Sequence, residues 1–215
     1  MGKPELSLPE VREMIVAVSR GMISSADRLT QADKAIGDGD HGLGMARGFA
    51  SVIETVEGRE FTSIGNLFRT VGTAILTSAG GAAGAVFGTF FRGAAENAGD
   101  RNVLTAALFS RMLLDGLRAV EVRGQAKPGD KTMIDALEPA AAESERQFSA
   151  PLDAALTAIA EAARLGMERT REMAAKVGKA KTLGERSVGH PDPGALSMAL
   201  ILKFMAEYAA RPDFP

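Results

Sequence analysis

Asp33-Lys34-Ala35-Ile36-Gly37-Asp38-Gly39-Asp40-His41-Gly42 sets three carboxylates, an imidazole and three glycines side by side. Acids this crowded repel one another, and a solvated loop gains nothing from the crowding. A divalent cation removes the repulsion and turns it into a binding site. Mg²⁺ and Ca²⁺ are hard ions that take oxygen ligands, and glycines let the backbone fold carboxylates onto one point. Asp33, Asp38 and Asp40 are therefore the candidate metal ligands. The competing reading is an Asp/Gly turn in which Asp40 simply caps the next helix. An EF-hand is excluded by spacing, because its twelfth position requires Glu. Counted from Asp33 that place holds Gly44, and from Asp38 it holds Phe49.

The flanks of this stretch read as amphipathic helices. Ser7-Leu8-Pro9-Glu10 is a capping box with proline in the first turn. Val11, Met14, Ile15, Val18, Met22 and Leu29 then share one helical face, which predicts a first helix to about Thr30 with Asp33 just past its end. On the other side Met45, Phe49, Val52, Ile53 and Val56 predict a second helix from about Gly42, with Gly58 as its stop. Ile64, Leu67, Phe68, Val71 and Ile75 give a third.

Beyond it lies Thr77-Ser78-Ala79-Gly80-Gly81-Ala82-Ala83-Gly84-Ala85-Val86-Phe87-Gly88, leading into a fourth helix through Phe90 and Phe91. Small residues opening a helix bring backbone N–H groups against a phosphate. They also allow close helix packing, and both readings stand at this point. No Gly-Lys-Ser/Thr follows, so this is not a P-loop. A fifth helix ends before Gly124. The turn 127–133 leads into a sixth, with Asp130 as candidate N-cap and Pro139 as a kink or stop. Residues 151–176 form a seventh. Residues 178–194 lack periodicity, the length of a lid or binding loop, and the eighth helix begins near Leu196 and closes on Tyr208.

Eight helices, no convincing strand and mostly short connections predict an all-α, up-and-down antiparallel arrangement. Alternate connections in such an arrangement share an end. The acidic turn, the glycine-rich stretch, the 124–130 turn and the 178–194 loop should therefore meet at one rim. Carboxylates, backbone N–H groups and mobile cations are the parts of a Mg²⁺–nucleotide site. His41 has three readings: metal ligand, phosphate or sugar contact, or buried histidine; the preference of hard ions for oxygen favours the second over the first. His190 reads equally well as a brace within its loop.

Composition narrows the function class. With 46% hydrophobic and 24% charged residues, the 215-residue chain is expected to be one globular domain spanning 1–215. Net charge is −2 with Lys and Arg scattered, which argues against nucleic acid as partner. No apolar run reaches membrane-spanning length and no signal-peptide core opens the chain. Absence of cysteine excludes disulfides and thiol catalysis and fits the cytoplasm, the expected compartment.

Taken together, four stretches resemble the L subunit of dihydroxyacetone kinase. They are Ile36-Gly37-Asp38-Gly39-Asp40-His41-Gly42, Gly80-Gly81-Ala82-Ala83-Gly84, Pro128-Gly129-Asp130-Lys131-Thr132-Met133, and the run from Leu183-Gly184-Glu185-Arg186 through His190-Pro191-Asp192-Pro193-Gly194. The resemblance implies a closed barrel of eight antiparallel helices with the nucleotide, ADP or ATP, at one rim. It implies two Mg²⁺ ions on Asp33, Asp38 and Asp40. It implies nucleotide contacts from His41, Gly42, Leu43 and Gly44; phosphate contacts from Gly81, Ala82 and Ala83; and a nucleoside side at Gly124, Thr132 and Met133. Lys179, Asp192, Pro193 and Gly194 match the capping loop.

In that family the ketose sits on a separate K subunit, and the phosphoryl donor is either ATP or a phosphotransferase-system protein. The resemblance thus implies half an enzyme, with no catalytic residue on this chain beyond the metal ligands. The family usually has Ser where this chain has Ala83, Pro at Ala85 and Arg at Lys179. Loss of those contacts keeps a second reading open, a nucleotide-dependent regulatory binding protein without catalysis of its own. A plain metal-binding helical domain is a third.

Overall fold

The computed structural model describes residues 2–211. It is mostly helical, with nine α-helices among the described residues: α1 (Leu8–Ser24), α2 (Ala26–Ile36), α3 (His41–Val56), α4 (Ile64–Ser78), α5 (Gly81–Ala94), α6 (Ala106–Gly124), α7 (Ile134–Arg146), α8 (Leu152–Arg169) and α9 (Pro193–Ala209). Two-residue strands β1 (Leu6–Ser7) and β2 (Val103–Leu104) pair antiparallel, a bridge too short to show as alternation in the sequence. Each long helix packs on its successor along the chain, α1 packs on α3, and α9 returns to α1. No helix among the described residues is long and apolar enough to cross a membrane.

The predicted first helix is two. Ser24 and Ser25 hydroxyls both donate back to the Gly21 carbonyl, at 2.9 and 2.8 Å. Such back-bonding bends a helix by drawing a carbonyl off the axis, and Ser25 (φ −91°, ψ 2°) leaves helical geometry there. The break turns α2 onto α3, and Asp33 consequently sits inside the last turn of α2 rather than beyond a helix end.

Three further expectations change. Asp130 is not the N-cap of α7; its carboxylate accepts from Lys127 N at 2.8 Å, inside the preceding turn. Asp135 captures the turn instead, accepting from Gly129 N at 2.5 Å and Thr132 N at 2.7 Å. Pro139 neither ends nor splits α7. Its ring and the Asp135 carbonyl, the group its missing N–H leaves free, lie against Gly166 of α8, where a Cβ would come within 2.3 Å of that oxygen. The segment before α9 is not structureless: Thr170–Glu172 and Lys179–Ser187 form 3-10 turns, the latter broken at Gly184 (φ 52°, ψ −124°). Asp192 then starts α9 by accepting from Ala195 N at 2.7 Å, three residues earlier than the apolar periodicity suggests.

The core is built from the faces the periodicity marks. Phe91 of α5 is fully buried between Phe49 of α3, Phe68 of α4 and Phe90, with ring centroids 6.4, 5.9 and 5.2 Å away. These edge-on and tilted arrangements suit aromatic quadrupoles. On its other side α5 presses against α4: a Cβ on Gly88 would lie 2.7 Å from Leu76 Cβ and 2.9 Å from the Gly72 carbonyl. The close-packing reading of the small residues therefore holds for Gly88. It leaves the start of α5 to be explained.

Candidate functional site

The α2–α3 turn brings its acids together. Asp33, Asp38 and Asp40 each offer a carboxylate oxygen within 4.8 Å of the others. Asp33 is buried while Asp38 and Asp40 are exposed, so the cluster opens outward. Asp33 Oδ2 accepts from His41 N at 3.1 Å, which orients that carboxylate. Gly37 is required here: a Cβ would lie 2.1 Å from Asp33 Oδ1. The donor set is all oxygen, which fits Mg²⁺ or Ca²⁺ and not a soft metal.

Lys179 reaches this cluster from the distant 3-10 turn. Its ammonium hydrogen-bonds Asp38 and lies 3.3 Å from Asp40 Oδ2. The contact holds the Asp38 carboxyl below the usual carboxylate range and the Lys179 ammonium above its own.

His41 begins α3 and reaches across to α9. Its Nε2 is 2.7 Å from Ser197 Oγ on α9. Burial pushes its pKa below the ordinary value, against the pull of Asp33 and Asp40. The ring is thus held neutral and braced, with Phe87 at 6.3 Å.

Opposite the acids, the glycine-rich stretch opens α5. Gly80 (φ 74°) and Gly81 (φ 58°) adopt left-handed conformations that side chains resist. The first intrahelical bond observed at this end runs from Gly84 N to Gly80 O at 3.0 Å. N–H groups of Gly81, Ala82 and Ala83 are the open donors of the first turn, where the helix dipole favours an anion.

Both features line one cavity of about 380 Å³. Of the residues expected at the site, Asp33, Asp40, His41, Gly44, Gly81, Ala82, Ala83, Gly124, Thr132, Met133, Lys179, Asp192, Pro193 and Gly194 lie on its wall. The four unusual segments therefore meet at one rim, as the alternation of connections predicts. Three expected residues lie off the wall. Asp38 belongs to the carboxylate cluster. Gly42 is packed where a Cβ would lie 2.1 Å from the Ala26 carbonyl, and Leu43 is 60% exposed beside the mouth. Val86, Val120, Ala126, Ile134 and Val177 complete an apolar wall.

Sequence reasoning assigns no role to Arg47, Lys131, Asp135 or Ser197. Arg47 lines the cavity and donates to the Ala79 carbonyl at 3.0 Å, beside the start of α5. Its signal was helical spacing, three residues after Gly44 on the same face. Ser197 likewise follows Gly194 by three. Asp192 is half-buried near Asp135, and desolvation pushes its pKa up to about 7.

A family model described as the DAK2 domain matches residues 35–207. The ADP-binding subunit DhaL of the PEP-dependent dihydroxyacetone kinase of Escherichia coli is 41% identical over 187 residues, 85% of this chain and 88% of that one. L-erythrulose 1-kinase of Mycolicibacterium smegmatis is 32% identical across 96% of this chain, which spans 38% of that protein. The crystal structure of the dihydroxyacetone kinase from C. freundii in complex with AMP-PNP and Mg²⁺ matches with a TM-score of 0.73 at 26% identity, over 92% of this chain and 33% of that one. On the match over 35–207 and the identity to a relative of nearly the same extent, the chain belongs to the DAK2-domain family, whose relatives here are named as kinases or kinase subunits.

Proposed function

We propose that this chain is the nucleotide- and Mg²⁺-binding subunit of a kinase for dihydroxyacetone or a related short ketose. It presents a phosphoryl group to a sugar held on a separate K-type subunit. The observation that carries the reading is the shared cavity: an all-oxygen carboxylate cluster and the open N-terminal turn of α5 line the same space. Phosphoryl transfer asks for positioning and charge neutralisation more than for a nucleophile, and the chain supplies both.

On this reading Asp33, Asp38 and Asp40 hold two Mg²⁺ ions, which neutralise phosphate charge when bound. Backbone N–H groups of Gly81, Ala82 and Ala83 bind the phosphates, with Arg47 beside them as a cation able to share a phosphoryl oxygen. Lys179, released from the aspartates, follows the phosphates as a point charge. His41 stays neutral on Ser197 and closes the sugar side together with Gly42, Leu43 and Gly44. Gly124, Thr132 and Met133, with the apolar wall, take the base of ADP or ATP. Asp192, Pro193 and Gly194 close the cap.

The helix packing order, with α9 returning to α1, supports a closed barrel of eight antiparallel helices, α2 being the additional short helix that carries Asp33. Residues 1–215 then form one domain working in the cytoplasm. E. coli DhaL is named PEP-dependent and a Lactococcus lactis relative PTS-dependent, which favours a phosphotransferase-system protein as donor to a retained ADP over exchange of ATP.

Reconstitution tests this directly. The chain is mixed with a K-type subunit and dihydroxyacetone, and supplied either with ATP or with the phosphotransferase proteins and phosphoenolpyruvate. Sugar phosphate formed by the second route, with nucleotide retained through gel filtration, is the expected result. A folded, nucleotide-binding chain that yields no sugar phosphate by either route favours the regulatory reading.

A further inference from the structure

Lys131 is the feature that the proposed function leaves without work. It stands in the left-handed region (φ 64°), a conformation that costs a side-chain-bearing residue energy. It is only 2% exposed. Its Nζ donates to four backbone carbonyls: Thr170 at 2.8 Å, Met173 at 3.0 Å, Ser187 at 2.7 Å and His190 at 2.7 Å. Among the described residues no carboxylate lies within ion-pair distance of it; carbonyl dipoles surround the charge, and Asp192 attracts it from farther off. An ammonium has three protons, so four acceptors at this range surround it as they would a spherical cation.

The four carbonyls are not random neighbours. Two precede and two follow the segment 174–186, so one ammonium gathers both strands of that loop's neck. Smaller bonds tighten the same neck: Gly189 N to Arg171 O at 2.7 Å, and Ala175 N to Ser187 Oγ at 2.8 Å. Val177, Gly178, Lys179 and Ala180 of the loop line the cavity, and so does the turn that carries Lys131.

We propose that Lys131 is a positioning residue, a tethered monovalent cation whose capture of four carbonyls holds the 174–186 segment over the cavity and links it to the Thr132–Met133 turn. Carbonyl rings hold free K⁺ by the same dipoles. With the side chain deleted, the same four oxygens accept K⁺ or NH₄⁺. Glycine suits the left-handed backbone there, so Lys131→Gly removes the ammonium without adding strain.

Describing 174–186 as a nucleotide cap rests on the proposed function; the clasp itself does not, and is read without nucleotide. Amide hydrogen exchange of the full chain is followed in Li⁺, K⁺ or NH₄⁺. In Li⁺, Lys131→Gly should exchange 174–186 about tenfold or more faster than wild type, with α4 and α5 protected as before. Excess NH₄⁺ or K⁺ should restore protection, which a mere packing defect would not show. Equal exchange in wild type and variant overturns the proposal, as does loss of protection that neither cation reverses, or a variant unfolded in every salt. Release of Mg·ADP is measured in parallel: wild-type chain that binds none defeats the proposed function and leaves the clasp result standing.

Discussion

Lys179 Nζ lies 3.3 Å from Asp40 Oδ2 and also bonds Asp38, joining residues 139 positions apart into one charge cluster. The lysine stands where a divalent ion would compete with it for the same oxygens. Lys179→Ala should therefore bind Mg²⁺ alone about two- to fivefold more tightly, the size of an exposed ion pair removed. Mg·ADP should bind more weakly, because the phosphates lose a cation. Calorimetric titration of Mg²⁺ and of Mg·ADP checks both directions.

His41 is buried against Ser197 and its pKa is held below 6.5 by desolvation. The unfolded histidine takes a proton near pH 6.5 while the folded one resists it. The stability this contributes is complete above that pH and is lost as pH falls toward the folded value. His41→Gln should be less sensitive than wild type to acidification from about pH 7.5 to 5.5. Urea denaturation of both chains at the two pH values measures the difference.

Asp192 carries the opposite sign. Its carboxylate caps α9, and burial beside Asp135 raises its pKa to about 7. The folded chain retains a proton that the unfolded one releases near pH 4, so this group's contribution falls as pH rises from about 4 to about 7. Asp192→Asn keeps the acceptor and removes the slope; it should match wild type near pH 4 and exceed it in stability near pH 8. Asp192→Ala should fall about 1 kcal/mol below Asp192→Asn at either pH, the capping bond it lacks. Thermal melts across this range decide it.

Gly88→Ala tests the packing beneath the opening turn of α5. The added Cβ meets the Gly72 carbonyl and Leu76, which a rigid helix pair cannot both move. A loss of about 1–3 kcal/mol is expected, read as a lowered denaturation midpoint. A Cβ on Gly81 meets nothing and one on Gly80 meets Arg47 at an ordinary 3.7 Å, but both have left-handed φ, so alanine there strains backbone without clashing.

The chain states its site more openly than its helix breaks. Crowded acids, a glycine-opened helix and an aperiodic loop are compositional signals, and counting helices is enough to put them at one end. The split at Ser25 depends on two hydroxyls turning back to Gly21, which apolar periodicity cannot register. Capping by Asp135 instead of Asp130, and tolerance of Pro139 opposite Gly166, arise from contacts between elements. Lys131 was hidden for the same reason. Its motif is visible in the sequence, but four carbonyls from residues 170–190 exist around it only once the chain has folded.

The central claim is that the acids of the α2–α3 turn hold the cation that anchors a nucleotide. Isothermal titration of Mg·ADP into wild type and into the Asp38→Asn/Asp40→Asn double variant tests it most directly, with circular dichroism confirming equal folding. The account predicts Mg²⁺-dependent binding to wild type, and a loss of about a hundredfold or more in the variant or after chelation. Undiminished binding of ADP by the folded double variant, or by wild type stripped of Mg²⁺, would contradict it.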